Sequence, residues 1–216
     1  MGTSLKVSKL IRGYLKKELI IEKKIKKFEN NIRSKKAITR ELCFCIFAAN
    51  SSALAANRAE KKLFLSKIKL TPKNYKKIAK ILRESGVRFH NKKARYCISA
   101  VQDLIYKKKF FEYLKIFREP IELRNFLANT TKGLGLKEAS HFLRNIGIGK
   151  ELAILDRHIL KSLRKYGVIK KIPKTLTKKT YLKIEQKMLN FCKKIKINPC
   201  KLDLYFWSEN TGYVFK

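Results

Sequence analysis

KGLGLKEASHFLRNIGIGKELAILDRH, residues Lys132 to His158, is the stretch that decides how this chain folds. Gly133-Leu134-Gly135 stands between an apolar, helix-like run from Leu123 to Leu127 and a second from Ala139 to Ile146. Two glycines one residue apart let the backbone turn tightly and bring amide N–H groups close to an anion. The helix start that follows adds partial positive charge. The pattern predicts a helix-hairpin-helix over about 121–147, able to grip a phosphate backbone without reading bases.

Lys137 falls in the first turn of the second helix, where a cation opposes the macrodipole and an acid is the ordinary choice. That field disfavours the ammonium and so favours the neutral, nucleophilic amine. Asp156 follows 19 residues later, after the apolar run Leu152 to Leu155 and before a helical pattern in Ile159, Leu160 and Leu163. It reads as an N-cap at the floor of the same cleft. Each residue has a plainer reading: Lys137 as a phosphate-contacting or solvated lysine, Asp156 as a cap worth about 1 kcal/mol. The two readings of Asp156 are compatible, because a capping carboxylate is held rigid where positive charge develops.

With 216 residues the chain can bury one substantial core or two small ones sharing a cleft. Its formal net charge of +37 points outward to a polyanion. Nucleic acid is the leading partner, bound with a strong salt dependence as lysines displace counterions from phosphates. An anionic membrane surface is the other reading. No apolar run approaches the roughly 20 residues of a spanning helix, and no signal peptide precedes a small-residue cleavage site, so a cytoplasmic protein is expected.

Cys43, Cys45, Cys97, Cys192 and Cys200 are an odd set without framework spacing, mostly in apolar surroundings. Small buried thiols are the ordinary explanation. An iron–sulfur cluster needs four closely spaced cysteines, and only Cys192 and Cys200 lie near the end of the sequence, so none is expected. The three histidines are not paired at metal-ligand spacing, and no metal or other cofactor is expected. His141 and His158 read as helix residues, the first beside the apolar Phe142, Leu143 and Ile146.

Periodicity is helical almost throughout, in Leu10 to Ile25, Leu42 to Leu54, Ile78 to Leu82, Tyr96 to Ile105 and Tyr181 to Phe191. Short connections fall at Thr71-Pro72, Ser85-Gly86, Glu119-Pro120, Gly147 to Gly149, Gly167, Ile172-Pro173 and Asn198-Pro199. The expected fold is all-α. A central helical subdomain covers about 40–135, and a second is formed by 1–39 plus 136–216, with the hairpin at the cleft. The first 35 or so residues read as one Lys-rich amphipathic helix docked on the C-terminal part. Asn50 reads equally well as a helix-end residue in left-handed geometry. Trp207, at helical spacing in Leu204 to Trp207, is more often core. Lys216 alone would be a frayed end, but Tyr213-Val214-Phe215 before it can pack the tail.

Taken together, the hairpin, Lys137 and Asp156 resemble the helix-hairpin-helix DNA glycosylases. Phe44 to Ser52, reading FCIFAANSS, resembles the superfamily's early core helix that ends in a residue inserted at the lesion, with Asn50 at that place. Gly86 to Ala94 resembles its Gly-aromatic-Lys-Ala segment. A closer resemblance is to the archaeal-type (type-2) 8-oxoguanine DNA glycosylase/lyases. It is carried by ELCFCI at 41–46, KEASHFLRNIG at 137–147, LDRHIL at 155–160 and LDLYFW at 202–207. One departure is Phe47 to Ser52, plainer than the family's aliphatic-Thr-Ala-Asn version.

That resemblance implies a single glycosylase fold over 1–216. It implies Lys137 as nucleophile, Asp156 as essential carboxylate and a terminal lysine, Lys216, that helps distinguish 8-oxoguanine from guanine. It also favours Trp207 as a wall of the base pocket, and Gly133, Gly135 and Asn50 as DNA contacts. The partner is then double-stranded DNA containing 8-oxoguanine, bound by a monomer without an iron–sulfur cluster. The implied chemistry is base excision followed by cleavage at the resulting AP site. Two other readings share the residues: a glycosylase/lyase for oxidised pyrimidines, independent of Lys216, and a non-catalytic DNA-binding protein.

Overall fold

The computed structural model describes residues 2–216, which form twelve α-helices: α1 (Gly2–Leu15), α2 (Glu18–Asn31), α3 (Lys35–Ala48), α4 (Ala53–Leu65), α5 (Tyr75–Glu84), α6 (His90–Ala100), α7 (Lys109–Ile116), α8 (Pro120–Thr130), α9 (Leu136–Asn145), α10 (Arg157–Lys165), α11 (Lys178–Ile195) and α12 (Pro199–Thr211). A 3-10 turn at Pro72–Asn74 precedes α5, and α6 runs on into a π-helical turn, Val101–Tyr106. No strand occurs among the described residues, so the all-α expectation holds.

Polar punctuation sets the helix starts. Ser34, Ser52, Asp156 and Thr177 each accept the backbone N–H three residues on, leaving fewer orphan donors in the first turns. Pro120 and Pro199 occupy first positions, where a missing N–H costs nothing. The N-terminal segment differs from the single helix expected. The chain turns at Lys16-Lys17, with Lys17 N–H donating to the Tyr14 carbonyl at 2.8 Å. The turn lets Leu10 and Tyr14 of α1 and Ile21 and Phe28 of α2 reach one core together.

Two apolar clusters result. The first runs from Ile38 of α3 to Leu152; the second joins Leu10 to Phe28 with residues from Ala153 to Phe206. Burying Phe44, Phe110 and Phe142 in the first, and Phe206 in the second, contributes about 1.5–3 kcal/mol each. Ala139, Phe142, Leu143 and Ile146 of α9 belong to the first cluster. Core membership therefore changes between Leu152 and Ala153, later than the expected division at 135.

Two buried ion pairs cross between these cores. Arg124 of α8, fully buried, makes a two-pronged contact with Glu185 of α11 at 2.9 Å per bond. Arg144 of α9 meets Asp203 of α12 at 3.3 Å, both side chains within 5 % of full burial. Planar guanidinium suits such carboxylate pairing.

Gly147, two residues past the end of α9, has a left-handed φ of +82°, and an added Cβ would stand 2.6 Å from the Glu29 Cα of α2. Gly147 N–H donates to Arg144 O and Ile148 N–H to Leu143 O, closing the helix in a Schellman-type turn. Gly147→Ala meets both the backbone strain and a contact with main chain that cannot swing away. It is expected to cost about 2 kcal/mol or more, read as a lower midpoint in urea unfolding; an unchanged midpoint refutes this role.

Candidate active site

The hairpin lies where the sequence placed it. α8 and α9 are joined by Thr131 to Gly135, and Leu134 N–H donates to Thr131 O at 3.1 Å. Gly133 has φ +93°, and a Cβ there would press on Tyr96 at 3.0 Å. Gly135 is extended and caps α9 without any side-chain hydrogen bond. The first N–H groups of α9 therefore have no capping side chain, as an anion-receiving helix start requires.

Lys137, one-fifth exposed, projects from the first turn of α9, with Glu138 Oε1 3.8 Å from its Nζ. Asp156 caps α10, its Oδ1 accepting the Ile159 N–H at 2.8 Å. The two hang from helices of different cores, yet both charges act on one buried group, Asp203. Burial pushes its carboxyl up to about 7; Arg144 and Lys137 oppose the shift and Asp156 adds to it. Lys137, Asp156, Arg144 and Asp203 are thus electrostatic neighbours.

His141 of α9 sits beside this group, buried and edge-on to Phe44 at 5.5 Å. Burial, reinforced by Arg144, Lys137 and Lys216, holds its pKa well below the usual histidine range, so the ring is neutral at pH 7.

The last residues fold back over α3. Phe215 packs at 6.2 Å from Phe44 and stacks on Trp207 at 5.4 Å with planes 28° apart. Trp207 is partly exposed and also touches His158 and Tyr213 edge-on. Lys216 is not frayed: its Nζ donates to Glu41 Oε1 at 2.9 Å and stands 4.3 Å from the Phe44 ring centre.

Asn50 is exposed, with φ +52°, at the turn between α3 and α4. The turn is clamped from below by Lys93 of α6, whose Nζ donates to Phe47 O at 2.8 Å and Ser51 Oγ at 2.9 Å. Ser51 Oγ also accepts the Arg88 N–H at 2.9 Å, tying in the neighbouring turn where exposed Phe89 has φ +57°. Burial lowers the Lys93 pKa to about 8; Glu138 opposes this, while Lys137 and Arg88 add to it.

Sequence reasoning missed Glu41, Lys93, Arg144 and Asp203. The available signal was a charge at an apolar helical position: Glu41 between Ile38 and Cys45, Asp203 between Leu202 and Leu204. All five cysteines are buried and free of disulfides. No cluster of three or more metal-ligating side chains occurs among the described residues. None of their helices is long and apolar enough to cross a membrane. A cavity of about 590 Å³ lies elsewhere, lined by Lys6, Lys9, Lys161, Arg164 and Glu209 among others.

Known proteins match this arrangement over nearly the whole chain. The family profile described as 8-oxoguanine DNA glycosylase matches residues 21–197. An 8-oxoguanine DNA glycosylase/AP lyase of Fusobacterium nucleatum is 39 % identical over 204 residues, covering 90 % of each chain. One of Methanocaldococcus jannaschii is 36 % identical over 203 residues, covering 91 % of this chain and 92 % of its own. The crystal structure of the Thermotoga maritima 8-oxoguanine DNA glycosylase superposes with a TM-score of 0.84 at 33 % identity, covering 99 % of this chain and 100 % of that one. The M. jannaschii glycosylase/lyase in complex with a 15mer DNA containing 8-oxoguanine gives 0.83 at 33 % identity, covering 96 % and 99 %. With a family profile matching most of its length, relatives 36–39 % identical over nine-tenths of the chain and a fold of the same shape, the chain belongs to the 8-oxoguanine DNA glycosylase family.

Proposed function

We propose that this protein excises 8-oxoguanine from double-stranded DNA with Lys137 as nucleophile and Asp156 as the carboxylate that stabilises the sugar, then cleaves the strand at the AP site. The observation that carries the reading is the hairpin followed by an uncapped helix with Lys137 in its first turn and by Asp156 held rigid as the cap of α10, in a chain of this family. The hairpin amides and surrounding cations hold the backbone of a bent duplex, and the damaged nucleotide swings out of the stack.

The neutral amine of Lys137 attacks C1′, and its electron pair forms the new C–N bond as the base leaves with the glycosidic pair. Asp156 stabilises positive charge on the sugar during that step. Loss of the amine proton and ring opening give an imine between Lys137 and C1′. Removal of a C2′ proton then expels the 3′ phosphate by β-elimination. No metal or cofactor is needed in any step. Lys216 and Trp207 face the base in this reading, and Asn50 enters the space it vacates. The protein works in the cell's interior, as a monomer.

Borohydride reduces such an imine to a stable amine, so a duplex with one 8-oxoguanine should give a covalent protein–DNA adduct. An adduct on thymine glycol DNA and none on 8-oxoguanine would move the substrate to oxidised pyrimidines. No adduct on either would leave a DNA-binding protein.

A further inference from the structure

Glu41 is the only acidic residue of α3, on a helix that buries ten of its fourteen residues, Glu41 among them. A carboxylate so placed is costly unless both oxygens are partnered. Both are. Oε1 accepts from Lys216 Nζ at 2.9 Å and Oε2 from Asn145 Nδ2 at 2.8 Å. The Asn145 carbonyl in turn accepts from Asn31 Nδ2 at 2.8 Å. Glu41 is thereby braced against the end of α9 and, through Asn145, against the end of α2.

The other side of this contact is a short irregular tail. Residues 214–216 carry no helical hydrogen bonds, so their place depends on side chains: Phe215 between Phe44 and Trp207, and Lys216 on Glu41. The Lys216 side chain is only 14 % exposed and that of Glu41 10 %, where solvent screens the pair weakly. A lysine stem has several free rotors, and Glu41 is the one anion paired with its head among the described residues.

We propose that Glu41 is a specificity-determining positioning residue: it fixes Lys216 for recognition of the damaged base and takes no part in the chemistry at the sugar. This rests on the reading of Lys216 as the group that distinguishes 8-oxoguanine from guanine. Glu41→Gln keeps the shape and the acceptor for Asn145 but turns an uncharged amide toward the ammonium.

Two duplexes separate the roles, one carrying 8-oxoguanine and one a preformed AP site, which has no base to recognise. Glu41→Gln should excise 8-oxoguanine roughly 10- to 100-fold more slowly, the range for loss of a hydrogen bond to a charged group, with the loss confined to the base-bearing duplex. Glu41→Asp, one methylene short but charged, should recover part of it. An equal loss on both duplexes would make Glu41 a structural brace and overturn the proposal; so would full 8-oxoguanine activity. If Glu41→Gln loses its helical circular dichroism, Glu41→Asp carries the same comparison. Failure of the wild type to be trapped on the AP site would instead refute the lysine chemistry proposed above.

Discussion

Lys137→Gln should give no borohydride-trapped adduct and no strand cleavage on 8-oxoguanine DNA, with the single-turnover rate down by on the order of 10⁴-fold or more, as for other lost covalent nucleophiles. Glutamine keeps the polarity and much of the length but has no amine to form the imine. Binding should change little, because one of 53 Lys and Arg residues is removed and the hairpin amides remain. The fold should hold, since Lys137 is partly exposed in the first turn of α9 and its one ion-pair contact, to Glu138, is 3.8 Å long. The informative contrary result is an adduct that persists in the variant. Lys93, buried beside the Asn50 turn with its pKa lowered to about 8, would then be the next amine to replace.

Asp156→Asn is the second large effect. Asparagine caps a helix about as well as aspartate, so the bond to Ile159 N–H and thermal stability should both survive. What disappears is the negative charge that the proposed mechanism sets against the sugar. Base release should slow by about 10²- to 10³-fold, the usual cost of losing one preorganised electrostatic partner of a transition state. Asp156→Ala should show the same slowing plus about 1 kcal/mol of lost stability. If the asparagine variant releases 8-oxoguanine at the wild-type rate, Asp156 is a cap and nothing more.

Much of this was legible in the chain itself, and the reasons differ by element. Glycines around Leu134, helical periodicity on either side and an N-capping aspartate are local signals, and the structure places α8, the hairpin, α9 and the start of α10 accordingly. The break between α1 and α2 was not legible, because Lys16-Lys17 continues the helical pattern and the turn is imposed by the core both helices share. The division between the cores was read too early for a related reason. Gly133 and Gly135 punctuate the chain, but the apolar side of α9 packs back on α3. Least visible were the charged residues inside. Glu41 and Lys216 are 175 positions apart, and Arg124 and Glu185 are 61; a sequence shows each as an irregularity in an apolar face and conceals its partner.

The two arginine pairs that cross between the cores give the protein a divided response to ionic strength. Contacts between exposed cations and a phosphate backbone weaken steeply as salt rises. Arg124–Glu185 and Arg144–Asp203 are sealed from solvent and feel little of that screening. The helix bearing Lys137 and the helices around Asp156 are therefore held in register by forces that salt does not reach. Concentrated electrolyte should release the protein from its substrate long before it loosens the spacing on which the chemistry depends.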